Sequence, residues 1–203
     1  VTKNKVTFDA LELDALAELF NISVGYAAST LSDLTDEDVV LSVPFVNLSS
    51  VDRLHKLLSF ERGKLTAISQ NFDGKLNGLA FLIFPENNAF DVIKLMLKTD
   101  FSSEEISEFE QDALNEIGNI ILNTCFSTLA DLLKINFECG LPTLSLLTAE
   151  DLSKPNNPDQ DVLLIQIKMS LEDYDIESFV VFIISVDSTM NLKIALDDFI
   201  ENM

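Results

Sequence analysis

The chain has 203 residues, of which 34 are acidic, 13 basic and 47% hydrophobic, with a formal net charge of −21 at pH 7. That length and apolar content suffice for one large domain or two small ones, whereas the acidic excess repels nucleic acid and anionic membrane surfaces, which are bound through Lys/Arg patches. No apolar run approaches the roughly 20 residues of a membrane-spanning helix, and no charged start followed by an apolar stretch suggests a signal peptide, so a soluble cytoplasmic chain with soluble partners is expected.

From Thr7 to about Leu34, residues Leu11, Leu16, Leu19, Phe20, Ala27, Leu31 and Leu34 recur at helical intervals and predict one amphipathic helix with these side chains toward the core. Asp36 to Leu48 is rich in Val and Leu and reads as a strand. Gly63 to Asn71 and Lys75 to Phe84 read as a hairpin turning at Phe72-Asp73-Gly74, because Asp-Gly between apolar runs is a strong turn signal. Pro85 then stands at the entrance of a helix from Glu86 to Lys98. Phe101 to Glu105, with a serine as cap and acids in the first turn, opens a second long helix that runs to about Lys134. An extended segment from Ile135 to Leu147 and a loop from Ala149 to Gln160 follow. A hairpin comes next, Asp161 to Leu171 and Glu177 to Val186, turning near Asp173, and a last helix spans Ser188 to Glu201. The longest apolar run, Phe179 to Val186, is expected to be a buried strand. Cys125 and Cys139 lie in apolar stretches without the short pairing of a zinc or redox motif, and two buried free thiols are expected. His55, the single histidine, stands beside Lys56 and reads as a surface or half-buried residue.

The order helix, strand, hairpin, helix is thus written twice, which suggests an internal duplication. Hairpins cannot make a purely parallel sheet. An α+β fold is therefore expected, with long helices packed on an antiparallel sheet and pseudo-two-fold symmetry. Each half alone would leave a sheet face or edge uncovered, so the expectation is one domain over residues 1–203, made of repeats at about 8–98 and about 106–203.

The repeat extends to single residues. Asp14, Glu18, Asn21 and Pro44 match Asp112, Glu116, Asn119 and Pro142, and 98 residues separate each pair. Apolar matches such as Leu16/Leu114 are what a shared core stripe would give in any case. Polar matches say more, because a solvated helix face does not dictate its residues. At about 100° per residue, Glu18 lies about 40° from Asp14, and Asn21 about 20° on its other side. Each long helix should therefore offer an Asp-Glu-Asn row to solvent, with Leu16, Leu19, Phe20 and Leu31 roughly opposite in the first copy. A single such row is an ordinary polar face; its repetition, with a proline at matched distance, points to function. Proline in a strand removes a ladder hydrogen bond, so Pro44 and Pro142 should each mark an edge or a bulge. No Gly-rich phosphate loop is present, and no metal or nucleotide site is visible.

The rows DALAELFN…P (Asp14 to Pro44) and DALNEIGN…P (Asp112 to Pro142) resemble the motif of the CheC, CheX and FliY phosphatases: Asp or Ser, three residues, Glu, two residues, Asn, twenty-two residues, Pro. The likeness covers nearly the whole chain, and two rows in one chain resemble CheC more than CheX. Three departures stand out: Phe20 where a glycine usually precedes the first Asn, Gly25-Tyr26 in place of Gly-Asn, and Cys125-Phe126 in place of small residues. They bear on whether the two sites are equal.

The resemblance implies a phosphatase acting on the aspartyl phosphate of a CheY-type response regulator in chemotaxis or two-component signalling. That regulator brings its own Mg²⁺, and no cofactor is expected in this chain. Asn21 and Asn119 would orient the attacking water, as a positioned amide can without being a strong base. Glu18 and Glu116 would dock the regulator by pairing with a lysine at its phosphorylation site, and Asp14 and Asp112 would be accessory. A CheD-like deamidase is a further possible partner. Two other readings stay open: a module that binds a regulator or a CheD-like protein without turnover, and a structural component related to the flagellar switch.

Overall fold

The computed structural model describes residues 6–50, 64–97, 108–148, 150–152, 161–171 and 174–202. His55, the helix start expected at Phe101 to Glu105 and the turn near Asp173 lie outside them. In chain order the elements are α1 (Ala10–Thr35), β1 (Val39–Ser50), β2 (Leu65–Gly74), β3 (Gly78–Pro85), α2 (Glu86–Leu97), α3 (Glu108–Leu133), β4 (Phe137–Cys139), β5 (Thr143–Leu147), β6 (Asp161–Leu171), β7 (Tyr174–Ile184) and α4 (Val186–Glu201).

The fold is α+β. Its seven described strands form one sheet in the order β1-β6-β7-β3-β2, with β4 and β5 both on the outer side of β2. Every pairing is antiparallel. The pairings are unchanged when the two halves of the chain are exchanged: β1 joins β6 as β5 joins β2, and β3 and β7 meet at the centre. Helices α1 and α3 each hold 26 residues, and their bounds are 98 residues apart at both ends. Each is followed by a residue in the left-handed region, Asp36 (φ 56°) and Lys134 (φ 53°), which stops the helix without a glycine.

Alternation along the central strands sorts side chains to two faces. Ala80, Leu82 and Phe84 of β3 join the main core beneath all four described helices, whereas Phe81 and Ile83 join a second buried cluster with Leu164, Phe179 and Val181. At the centre of the main core Phe72, Phe126 and Phe182 meet with ring centroids 5.1–6.0 Å apart, in tilted and edge-on arrangements. Helix α1 packs on β1 and on α3, so the two long helices lie side by side over the sheet.

Several expectations are corrected. Leu11 and Leu34 are 61% and 53% exposed rather than core; Leu11 falls on the polar side of the helical wheel, and Leu34 lies in the last turn. The first hairpin does not turn at Phe72-Asp73-Gly74. Phe72 pairs with Gly78, while Asp73 and Gly74 continue β2 and pair with Glu138 and Phe137 of β4. Gly74 is needed there for a different reason: its φ is +146°, and a Cβ would stand 2.7 Å from the Asn136 carbonyl oxygen. Cys125 is buried, and burial pushes its thiol up to about 12, but Cys139 is exposed.

Candidate functional site

Asp14, Glu18 and Asn21 lie on α1, and Asp112, Glu116 and Asn119 on α3. In both copies the Asp and Glu are exposed and the Asn is partly buried. Each row starts beside an exposed apolar residue three positions before the Asp, Leu11 at 61% and Phe109 at 67%.

The prolines explain why each Asn is held at its place. Among the described residues, strand β1 pairs only with β6, and its register shifts between Ser42 and Phe45. Val43 and Pro44 there face the single residue Ile167, which makes a bulge with one extra residue. The Val43 N–H, released from the ladder, donates to Asn21 Oδ1 at 2.9 Å. In the second half the edge breaks between β4 and β5: Gly140, Leu141 and Pro142 face only Gln70 and Asn71. One extra residue again stands on the edge side. Here a main-chain carbonyl is used, for the Gly140 oxygen accepts from Gln70 Nε2 at 2.9 Å. The same Nε2 donates to Asn123 Oδ1 at 2.9 Å, and Asn123 Nδ2 donates to Asn119 Oδ1 at 2.6 Å. The edge or bulge expected at both prolines is thus present, and each bulge is tied by hydrogen bonds to the Asn of its row.

The helices approach the sheet differently in the two copies. Gly118, just before Asn119, lies against β2, where a Cβ would stand 2.6 Å from Ile68 Cγ2. The corresponding residue of α1 is Phe20, fully buried with its ring centroid 5.7 Å from that of Phe182. The first row is therefore seated on an aromatic side chain and the second on close helix–strand contact.

A further repeated pair, Glu12 and Glu110, escaped the reading of the sequence although it obeys the same spacing of 98. Both side chains are buried. Glu12 closes a capping box with Asp9 at the start of α1 and accepts a hydrogen bond from Lys193 Nζ of α4. Lys193 also stands 5.6 Å from the Phe8 ring centroid. Burial pushes the Glu12 carboxyl up, but hydrogen bonds from Lys193, the Asp9 main chain and Asp197 together hold it below its ordinary value. The Lys193 ammonium is raised, chiefly by its hydrogen bond to Glu12, and the Asp197 carboxyl is raised, first by its hydrogen bond with Glu12. This group fastens the start of α1 to α4, with Glu12 two residues before the first residue of the exposed row, Asp14. Among the described residues no three or more His, Cys, Asp or Glu converge as a metal site would, and no helix is long and apolar enough to cross a membrane.

Comparison with known proteins places these features. The profile of the CheC-like family matches residues 11–48, the stretch that carries Asp14, Glu18, Asn21 and Pro44. The CheY-P phosphatase CheC of Bacillus subtilis (strain 168) is 31% identical over 138 residues, which is 66% of this chain and 66% of that protein. The chain belongs to the CheC/FliY family. Within that family, the flagellar motor switch phosphatase FliY of Bacillus subtilis (strain 168) is 21% identical over 164 residues, 80% of this chain but 43% of that longer relative. The crystal structure of Thermotoga maritima FliY has the same fold, with a TM-score of 0.76 over 96% of this chain and 100% of that one, at 24% identity. In this CheC-like chain both Asp-Glu-Asn rows are thus hydrogen-bonded to a bulged edge strand, the first directly and the second through Gln70 and Asn123, although the family profile matches the first row only.

Proposed function

We propose that this chain is a phosphatase that removes phosphate from the aspartyl phosphate of a CheY-type response regulator, with one site on α1 and one on α3. The observation that carries the reading is the pair of Asn side chains, each tethered through its Oδ1 to the bulge of an edge strand beside an exposed Glu. An amide oxygen accepts two hydrogen bonds and its nitrogen donates two. With one lone pair of Oδ1 occupied, Asn21 and Asn119 keep a second for a proton of the attacking water, and two N–H groups for a phosphoryl oxygen. Phosphoryl transfer depends chiefly on positioning and charge stabilisation, so a fixed amide is suited to the task. Glu18 and Glu116 pair with a lysine of the regulator and bring the phosphorylated aspartate, with the Mg²⁺ that the regulator carries, against the amide. Leu11 and Phe109 add an apolar contact at the end of each row, and Asp14 and Asp112 add acceptors beside it.

The test is the decay of a purified, phosphorylated CheY-type regulator in Mg²⁺ with substoichiometric amounts of the chain. Faster decay that disappears in the Asn21→Ala/Asn119→Ala double variant supports the reading. Tight binding to the phosphorylated regulator with unchanged decay makes the chain a binding module on a phosphatase scaffold.

A further inference from the structure

The two Asn residues reach their edge strands by different routes. Asn21 touches the bulge directly, whereas Asn119 does so through two intervening amides. Leu141, the counterpart of Val43, is 88% exposed. Asn123 stands where α1 has Gly25, and Gln70 is almost fully buried, at 2% exposure, on β2. We propose that Gln70 and Asn123 are positioning residues of the second site, a relay that sets the Asn119 amide in the orientation the Val43 N–H gives Asn21; this rests on the phosphatase reading above.

The direction of the relay is fixed at its base. The Gly140 carbonyl can only accept, so Gln70 must present its Nε2 there. That NH₂ group also serves Asn123, which must answer with Oδ1. With Oδ1 turned to Gln70, the atom of Asn123 that faces Asn119 is Nδ2, and Asn119 must answer with its own Oδ1. At the other site a main-chain N–H can only donate, and Asn21 likewise must present Oδ1. A carbonyl followed by two amides thus ends in the same polarity as one N–H, and both catalytic amides turn their nitrogen away from the edge strand. The relay has a cost. Gln70 Oε1 is buried without a hydrogen-bond partner among the described residues, and such a group is unfavourable unless another demand holds it there. The demand made on Gln70 is at its nitrogen.

Asn123→Asp separates the relay from the rest of the fold. Asn123 is exposed, the substitution is isosteric, and Gln70 can still donate to the new carboxylate, but nothing remains to donate to Asn119. In ¹⁵N spectra the Asn119 side-chain amide is expected to give one ordered pair of resonances in the parent, to shift in Asn123→Asp, where the carboxylate can only accept and turns the Asn119 nitrogen toward itself, and to average between rotamers in Asn123→Ala. An unchanged pair overturns the proposal. In an Asn21→Ala background, where turnover comes from the second site, both substitutions should lower kcat roughly three- to tenfold, with KM for the regulator and the thermal midpoint unmoved. Unchanged kcat overturns the relay, as does a loss carried by KM or thermal stability alone, or an Asn21→Ala protein with no residual turnover. Failure of the phosphatase reading looks different: the parent itself does not speed decay, and the amide spectra then decide the relay alone.

Discussion

At the scale of single residues, the proposed function divides the polar rows into docking and positioning groups. Glu18 and Glu116 are exposed and free to meet a partner lysine. Changing both to Gln should raise KM for the phosphorylated regulator roughly three- to tenfold while leaving kcat nearly unchanged, because an ion pair that becomes shielded on docking contributes more than an open one. Steady-state phosphate release at increasing regulator concentration measures this, and a loss confined to kcat would place the Glu in the chemistry instead. Gly118→Ala should destabilise the protein by about 1–3 kcal/mol, since the added methyl meets the branched and fully buried Ile68. Urea unfolding tests that value. The same substitution should slow turnover at Asn119 by moving the start of its turn away from β2. The rows and prolines were legible in the sequence because repeated polar residues on a solvated face have no packing reason to recur. Glu12 and Glu110 were equally legible at the same spacing. Gln70 and Asn123 were not: they lie 53 residues apart, and only the packing of α3 on β2 brings them together.

At the scale of elements, α1 is fixed at its start by the Asp9 capping box and by the Glu12–Lys193 pair to α4. The lowered Glu12 value stabilises the fold above the ordinary carboxylate range, and that part is lost as the pH falls through the folded-state value. The raised Lys193 value acts in the opposite direction: its contribution is present below the ordinary lysine value and is lost as the pH rises through the folded-state one. The raised Asp197 carboxyl offsets part of the Glu12 gain once the pH exceeds its ordinary value. Lys193→Ala should lower stability at pH 7 by about 1–3 kcal/mol by leaving Glu12 buried without its cation. It should also weaken the decline of stability between pH 5 and pH 3. Thermal unfolding at pH 7 and from pH 5 to pH 3 measures both effects, and a variant with the parent's acid profile would remove this pair from the account. Element types and most bounds could be read from periodicity and caps. The first hairpin turn was misplaced because Asp73-Gly74 is a local turn signal overruled by a distant partner, β4.

At the scale of the whole molecule, one antiparallel sheet interleaves strands from the two halves, with β6 and β7 of the second half between β1 and β3 of the first, and two helices of equal length lie across it. Alternation and hairpins made the α+β class legible. The strand order was not, because exchange of β1 and β5 between halves depends on long-range pairing that no local pattern encodes. Each half supplies an Asn row and its own proline-bulged edge, but the bulge is built against a strand of the other half's hairpin: β1 on β6, and β4 and β5 on β2. Both sites therefore depend on both halves. The most direct measurement is the initial rate of phosphate release from a saturating CheY-type regulator, with the parent, Asn21→Ala, Asn119→Ala and the double variant. The account predicts that each single variant keeps part of the parent rate and that the double variant falls to the regulator's own spontaneous rate; a double variant as fast as the parent would contradict it.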